Sequence, residues 1–152
     1  MKYLYTLTLL VVMMSFIACN TVKDPHKVLT STKWRIDAKA TIDKMIDEMS
    51  VEEKKAFERD GVFEIKRKAL EKVRVVFKKD GVLKSDYFLV QKKDETGDWK
   101  VNKKKKTLTI TPRKVKGVLN FIIERMSSSR VVLRIKKEDR GDLTHIVLQA
   151  VD

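Results

Sequence analysis

Thiols and imidazoles are scarce in this chain: 152 residues include one cysteine, Cys19, and two histidines, His26 and His145. A lone cysteine cannot close an intramolecular disulfide, so the fold must rely on packing and hydrogen bonding. Metal sites need several convergent ligands. His26 has no ligand near it in sequence, and His145 stands alone in an apolar segment, so no metal site is expected. There is no Gly-x-Ser-x-Gly elbow, and the expectation is a non-catalytic protein without a cofactor. Aromatic residues make up only 7% of the chain and form no stacking cluster. With no recognition helix either, nucleic acid is not an expected partner. Acids are also short, 21 against 34 Lys and Arg, for a formal charge of +13. That surplus attracts anionic surfaces, polymers or ligands. Beyond Ala18 no second long apolar run appears.

What is present begins at the N-terminus. Lys2 supplies a positive charge, Tyr3 to Ala18 runs 16 residues without one, and Phe16-Ile17-Ala18-Cys19-Asn20 closes the segment. These are the parts of a secretory signal peptide, and the run falls short of the ~20 residues of a spanning helix. A cysteine directly after the small residue resembles the lipobox of bacterial lipoproteins. The resemblance implies cleavage before Cys19, diacylglycerol on its thiol and acylation of the new N-terminus. Residues 1–18 are then a signal peptide, and residues 19–30 a lipidated cysteine and tether spanning about 15–20 Å. Removing residues 1–18 leaves 134 residues with a formal charge of +12, the size of one domain.

Within 31–152 the periodicity changes several times. Lys33-Trp34-Arg35-Ile36-Asp37 reads as a first strand. Ile42, Met45, Ile46 and Met49 then follow helical spacing. This apolar stripe fits either a lid over a barrel mouth or a helix packed to bury it. Ser50-Val51-Glu52-Glu53 is a capping box that opens a helix to Arg59, and its acids serve the cap rather than catalysis. A third helical piece is expected over Val62 to Leu70, so residues 41–70 form a helical insert. Period-2 alternation follows at Val73, Val75 and Phe77. Asp80-Gly81 is a turn signal, and further strands are expected over 82–90, 97–101, 107–111, 118–126, 131–136 and 143–151. Eight strands joined mostly by short turns protect their edges best by closing into an antiparallel up-and-down barrel. The fold expected is mainly β, an eight-stranded barrel with two or three helices after the first strand.

The order of these segments resembles the small lipocalin-like lipoproteins of Bacteroidetes. The matching parts are the lipobox, Leu29-Thr30-Ser31-Thr32-Lys33-Trp34, the helical insert, Val75 to Gly81, Gly97-Asp98-Trp99-Lys100-Val101 and Lys106-Thr107-Leu108-Thr109-Ile110. The resemblance implies binding of a small hydrophobic or amphiphilic ligand. It also implies lipid anchoring in the bacterial cell envelope, at the outer membrane ahead of the inner, with the domain in the periplasm or at the surface. Trp34, Trp99 and His145 are candidates for a cavity wall or a barrel end, and His145 alternates with Leu143 and Val147 on a face able to point inward. Lys103, Lys104, Lys105, Lys106, Arg113, Lys114 and Lys116 are candidates for anion contact, in two turns at opposite ends of the Thr107 to Thr111 strand. The alternative function is docking of this basic surface on an acidic protein partner or an anionic envelope polymer.

Overall fold

The computed structural model describes residues 24–88, 93–136 and 143–151. The expected signal peptide, Cys19 and the tether as far as Lys23 lie outside the described residues, as do 89–92 and the turn at Arg140-Gly141-Asp142.

Eight strands follow one another around a closed barrel, each antiparallel to its neighbours. They are β1 (Lys33–Ile36), β2 (Arg74–Phe77), β3 (Val82–Asp86), β4 (Glu95–Asn102), β5 (Thr107–Pro112), β6 (Leu119–Met126), β7 (Arg130–Ile135) and β8 (His145–Val151). Closure is made by β1, in which Trp34 lies opposite Val75 on one side and Ala150 on the other. This is the up-and-down barrel expected from the meander. The turn at Asp80-Gly81 forms as its sequence requires, since Gly81 has φ +83°, a conformation that side chains disfavour. β4 starts at Glu95, inside a stretch that reads as a polar loop in the sequence.

Among the described residues four helices accompany the barrel: α1 (Pro25–Thr30), α2 (Ala38–Asp47), α3 (Val51–Arg59) and α4 (Val62–Glu71). The last three form the expected insert. Asp37 ends the first strand one residue early because its carboxylate caps α2, accepting from Ala40 N–H at 3.0 Å. The capping box of α3 is complete: Ser50 Oγ accepts from Glu53 N–H at 3.3 Å, and Glu53 Oε2 accepts from Ser50 N–H at 2.7 Å. The stripe of α2 is packed rather than left as an open lid, with Met45 fully buried in the core.

α1 corrects the tether expected to reach Thr30. Asp24 accepts from His26 N–H at 3.0 Å as N-cap, and Pro25 opens the helix with its φ already set. Val28 and Leu29 are buried in the core, and the Leu29 carbonyl accepts from Trp34 Nε1–H at 2.9 Å. Burial of this kind, worth about 1.5–3 kcal/mol for a side chain the size of Leu29, holds α1 against one end of the barrel.

The interior is filled. Trp34, Val75, Leu83, Leu108, Ile110, Val131, Leu133 and Leu148 point inward with no exposed surface. One inward sector is small and polar instead, where Ser85 lies opposite Glu95 and Leu83 opposite Gly97. This sector sits at the end of the barrel that carries the helical insert.

Candidate functional site

At the insert end, a cavity of about 420 Å³ opens between α4 and the barrel rim. Lys66, Ala69 and Leu70 line it from α4, spaced so that they share one helix face. Ile36 at the end of β1 and Ile146 near the start of β8 form the barrel side, with Leu143 beside them. Tyr87 and Phe88, just past β3, close the remaining wall, and Lys72 follows α4. The lining is thus largely apolar with two lysine side chains, of which Lys66 carries its Nζ 5.9 Å from the centroid of the Phe57 ring of α3. Its volume falls within the range of about 300–1,000 Å³ of small-ligand sites.

The aromatic wall is set by local backbone chemistry. Tyr87 has φ +57°, a conformation unfavourable for a bulky residue unless its surroundings hold it. The hold comes from Glu95, a buried carboxylate on the inward face of β4. Its Oε2 accepts from Ser85 Oγ at 3.1 Å and from Phe88 N–H at 2.9 Å. One strand over, Asp86 Oδ1 accepts from Asp94 N–H at 3.0 Å. The polar sector of the interior therefore ties the exit of β3 in place and aims Tyr87 and Phe88 at the cavity.

Neither tryptophan lines this cavity. Both lie toward the α1 end, where Trp34 holds Leu29 and Trp99 donates to the Lys78 carbonyl at 3.0 Å. His26 stacks on Trp99 with ring centroids 4.9 Å apart, and Phe77 meets it edge-on at 5.2 Å. His145 departs from the inward orientation considered for it. Its strand partner is Arg134, and Arg130, on the same face of β7, is exposed, so His145 faces outward while Ile146 and Leu148 face the core. It is nonetheless buried, because Glu48 beyond α2 and Glu124 of β6 flank it at 3.6 and 3.3 Å.

The seven basic candidates are dispersed. Lys103 to Lys106 occupy the β4–β5 turn, and Arg113, Lys114 and Lys116 the β5–β6 loop, at opposite ends of β5. Lys103 is engaged by Asp24 at 2.7 Å, and Arg113 by both oxygens of Asp98 at 2.6 and 3.2 Å. Each contact holds the carboxyl of the acid below its ordinary value, chiefly through the hydrogen bond from its basic partner. Lys106 is brought to a concavity, an outer groove it shares with Lys44, Arg125 and Arg130. Among the described residues no three His, Cys, Asp or Glu side chains converge as a metal site.

Sequence reasoning missed Lys66, Lys72, Tyr87 and Phe88. Lys66, Ala69 and Leu70 at helical spacing mark a face of α4, but nothing in the sequence says which end of the barrel that face meets.

Comparison with known proteins bears on the fold. No family model matches the chain, and no curated protein does. The crystal structure of a DUF4847 family protein from Bacteroides vulgatus ATCC 8482 is similar, with a TM-score of 0.50 at 14% identity, covering 85% of this chain and 100% of that one. At that identity the likeness is one of fold: this chain has the barrel architecture of a Bacteroides protein.

Proposed function

We propose that this chain is a non-catalytic binding protein of the lipocalin-like type, holding a single-chain amphiphile with an anionic head at the mouth of its barrel. The observation that carries this reading is the 420 Å³ cavity with apolar walls and two lysines, Lys66 and Lys72. An alkyl chain gains about 25 cal/mol for each Å² of apolar surface removed from water against Ile36, Leu70, Leu143 and Ile146. A lysine ammonium on its flexible stem meets a carboxylate or phosphate head as a point charge. The filled interior limits the ligand to the mouth, which distinguishes this protein from a barrel with a deep central calyx.

The N-terminal pattern from Met1 to Asn20 supports a lipid anchor at Cys19, and the membrane we propose for it is the outer membrane of the bacterial envelope. Intact mass spectrometry of the protein taken from its own host tests both parts. Under denaturing conditions the expected mass is that of a chain beginning at Cys19 plus its acyl groups; an unmodified chain overturns the anchor. Under native conditions without detergent, the expected result is extra mass of amphiphile size that is lost on denaturation. A bare chain that takes up nothing from an envelope lipid extract overturns the binding reading.

A further inference from the structure

A second concavity lies outside the barrel, away from the mouth cavity. It is a groove of about 1060 Å³ between α2 and the outer faces of β6, β7 and β8. We propose that this groove is a docking surface for an acidic peptide segment that carries an aliphatic side chain.

One wall is α2, whose Ala40 and Lys44 stand one helical turn apart and both line the groove. The opposite wall is made by a β-bulge. Pairing runs from Ile123 opposite Leu133 directly to Arg125 opposite Val132, so Glu124 is the extra residue. Successive residues of a regular strand face opposite sides, but a bulge re-aims them. Glu124 reaches Arg134 on the outer surface, and Arg125 lies opposite the outward-facing Val132. Two neighbouring charged residues therefore project from the same side of the barrel. Val132 and Val147, cross-strand partners and themselves buried, underlie the floor, whose reachable apolar surface is offered by the half-buried Ala40 and Met126.

The charges of the groove do not cancel. Its two acids are already engaged, Asp43 by Lys39 at 2.6 Å and Glu124 by Arg134 at 2.9 Å. Of its four bases, Arg130 contacts Asp37 at 3.2 Å. Lys44, Lys106 and Arg125 have no carboxylate partner among the described residues. Lys106 is fixed at the lip because its carbonyl accepts from Ile123 N–H at 2.8 Å. Three cations with no carboxylate partner among the described residues, set around an apolar floor, complement a chain that offers both carboxylates and an alkyl side chain. A peptide offers both at residue spacing, whereas a bare polyanion leaves the floor unused.

The test uses the full chain in mild detergent and a fluorescent peptide of glutamates and aspartates around a central leucine. Saturable binding is expected at low salt. Lys44→Glu combined with Arg125→Glu should weaken it by about tenfold or more, and replacing the central leucine with serine should weaken it as well. Lys104→Glu with Lys105→Glu makes the same charge change in the β4–β5 turn and should act far less. Lys44→Gln with Arg125→Gln, checked for an unchanged melting temperature, guards against a folding defect. Equal losses in the groove and turn variants would overturn the proposal. So would indifference to the leucine, or inorganic polyphosphate binding the same groove as well as the peptide does, since either marks a plain polyanion surface.

Discussion

Replacing Trp34 with alanine will cost the fold about 3–5 kcal/mol, the range for deleting a large aromatic from a packed core. For a domain of this size that lowers the melting temperature by roughly 10–20 °C. Trp34 is the largest side chain with no exposed surface. It joins three parts of the molecule: β1 and its two strand neighbours, through Val75 and Ala150, and α1, through the 2.9 Å hydrogen bond to the Leu29 carbonyl. Losing the indole opens a void at the strand that closes the barrel and releases the α1 carbonyl it satisfies. Trp34→Phe separates the two effects. It keeps most of the volume and leaves the buried carbonyl without its donor, so about 1–3 kcal/mol is expected. Chemical denaturation of the two variants measures the difference. A cost for Trp34→Ala below that of Trp34→Phe would contradict the packing described for the α1 end.

Ala69→Trp will weaken binding of dodecanoate by at least about tenfold, or 1.4 kcal/mol. Ala69 lies on the exposed side of α4 and lines the mouth cavity, so a tryptophan there fills the space proposed for the ligand without displacing a core residue. Surface substitutions of this kind change stability by about 0.5 kcal/mol or less, and the melting temperature should stay near that of the parent. Lys72→Gln gives the complementary result, weaker binding of dodecanoate with binding of the uncharged dodecanol unchanged. Titration calorimetry of the three proteins reads all of this. Undiminished dodecanoate binding by Ala69→Trp would place the alkyl chain elsewhere.

Much of the fold is legible in local sequence because the signals there are local. The capping box at Ser50 and Glu53, the apolar spacing from Ile42 to Met49, the Asp80-Gly81 turn and the alternation at Val73, Val75 and Phe77 each act within a few residues. α1 is less legible. Asp24-Pro25 is a helix-start signal, yet a six-residue helix with one apolar pair depends on the tryptophan and the barrel end it covers. The orientation of His145 escapes for a different reason. Ile146, Val147 and Leu148 are all buried, so the strand shows no alternation. Val147 is covered from outside by α2, whose Thr41 hydroxyl accepts from Val147 N–H at 3.0 Å where β1 has ended.

The candidate sites depend still more on tertiary arrangement. The mouth cavity draws on α4, the ends of β1 and β8, and the residues after β3, which no sequence spacing relates. The run of lysines marks the β4–β5 turn in the sequence, but a run is spread over a turn, whereas Lys44, Lys106 and Arg125 come together from three elements. The bulge at Glu124 that completes this grouping has no signature in Asn120 to Met126.

In the function proposed, an amphiphile sits in the mouth cavity. Methyl nuclear magnetic resonance of the labelled protein, titrated with dodecanoate, tests it most directly. Saturable shifts are predicted at Ile36, Leu70, Leu143 and Ile146, with Leu108 and Leu133 in the filled interior unmoved. No shifts at millimolar dodecanoate, or shifts confined to Val132 and Val147 of the outer groove, would contradict it.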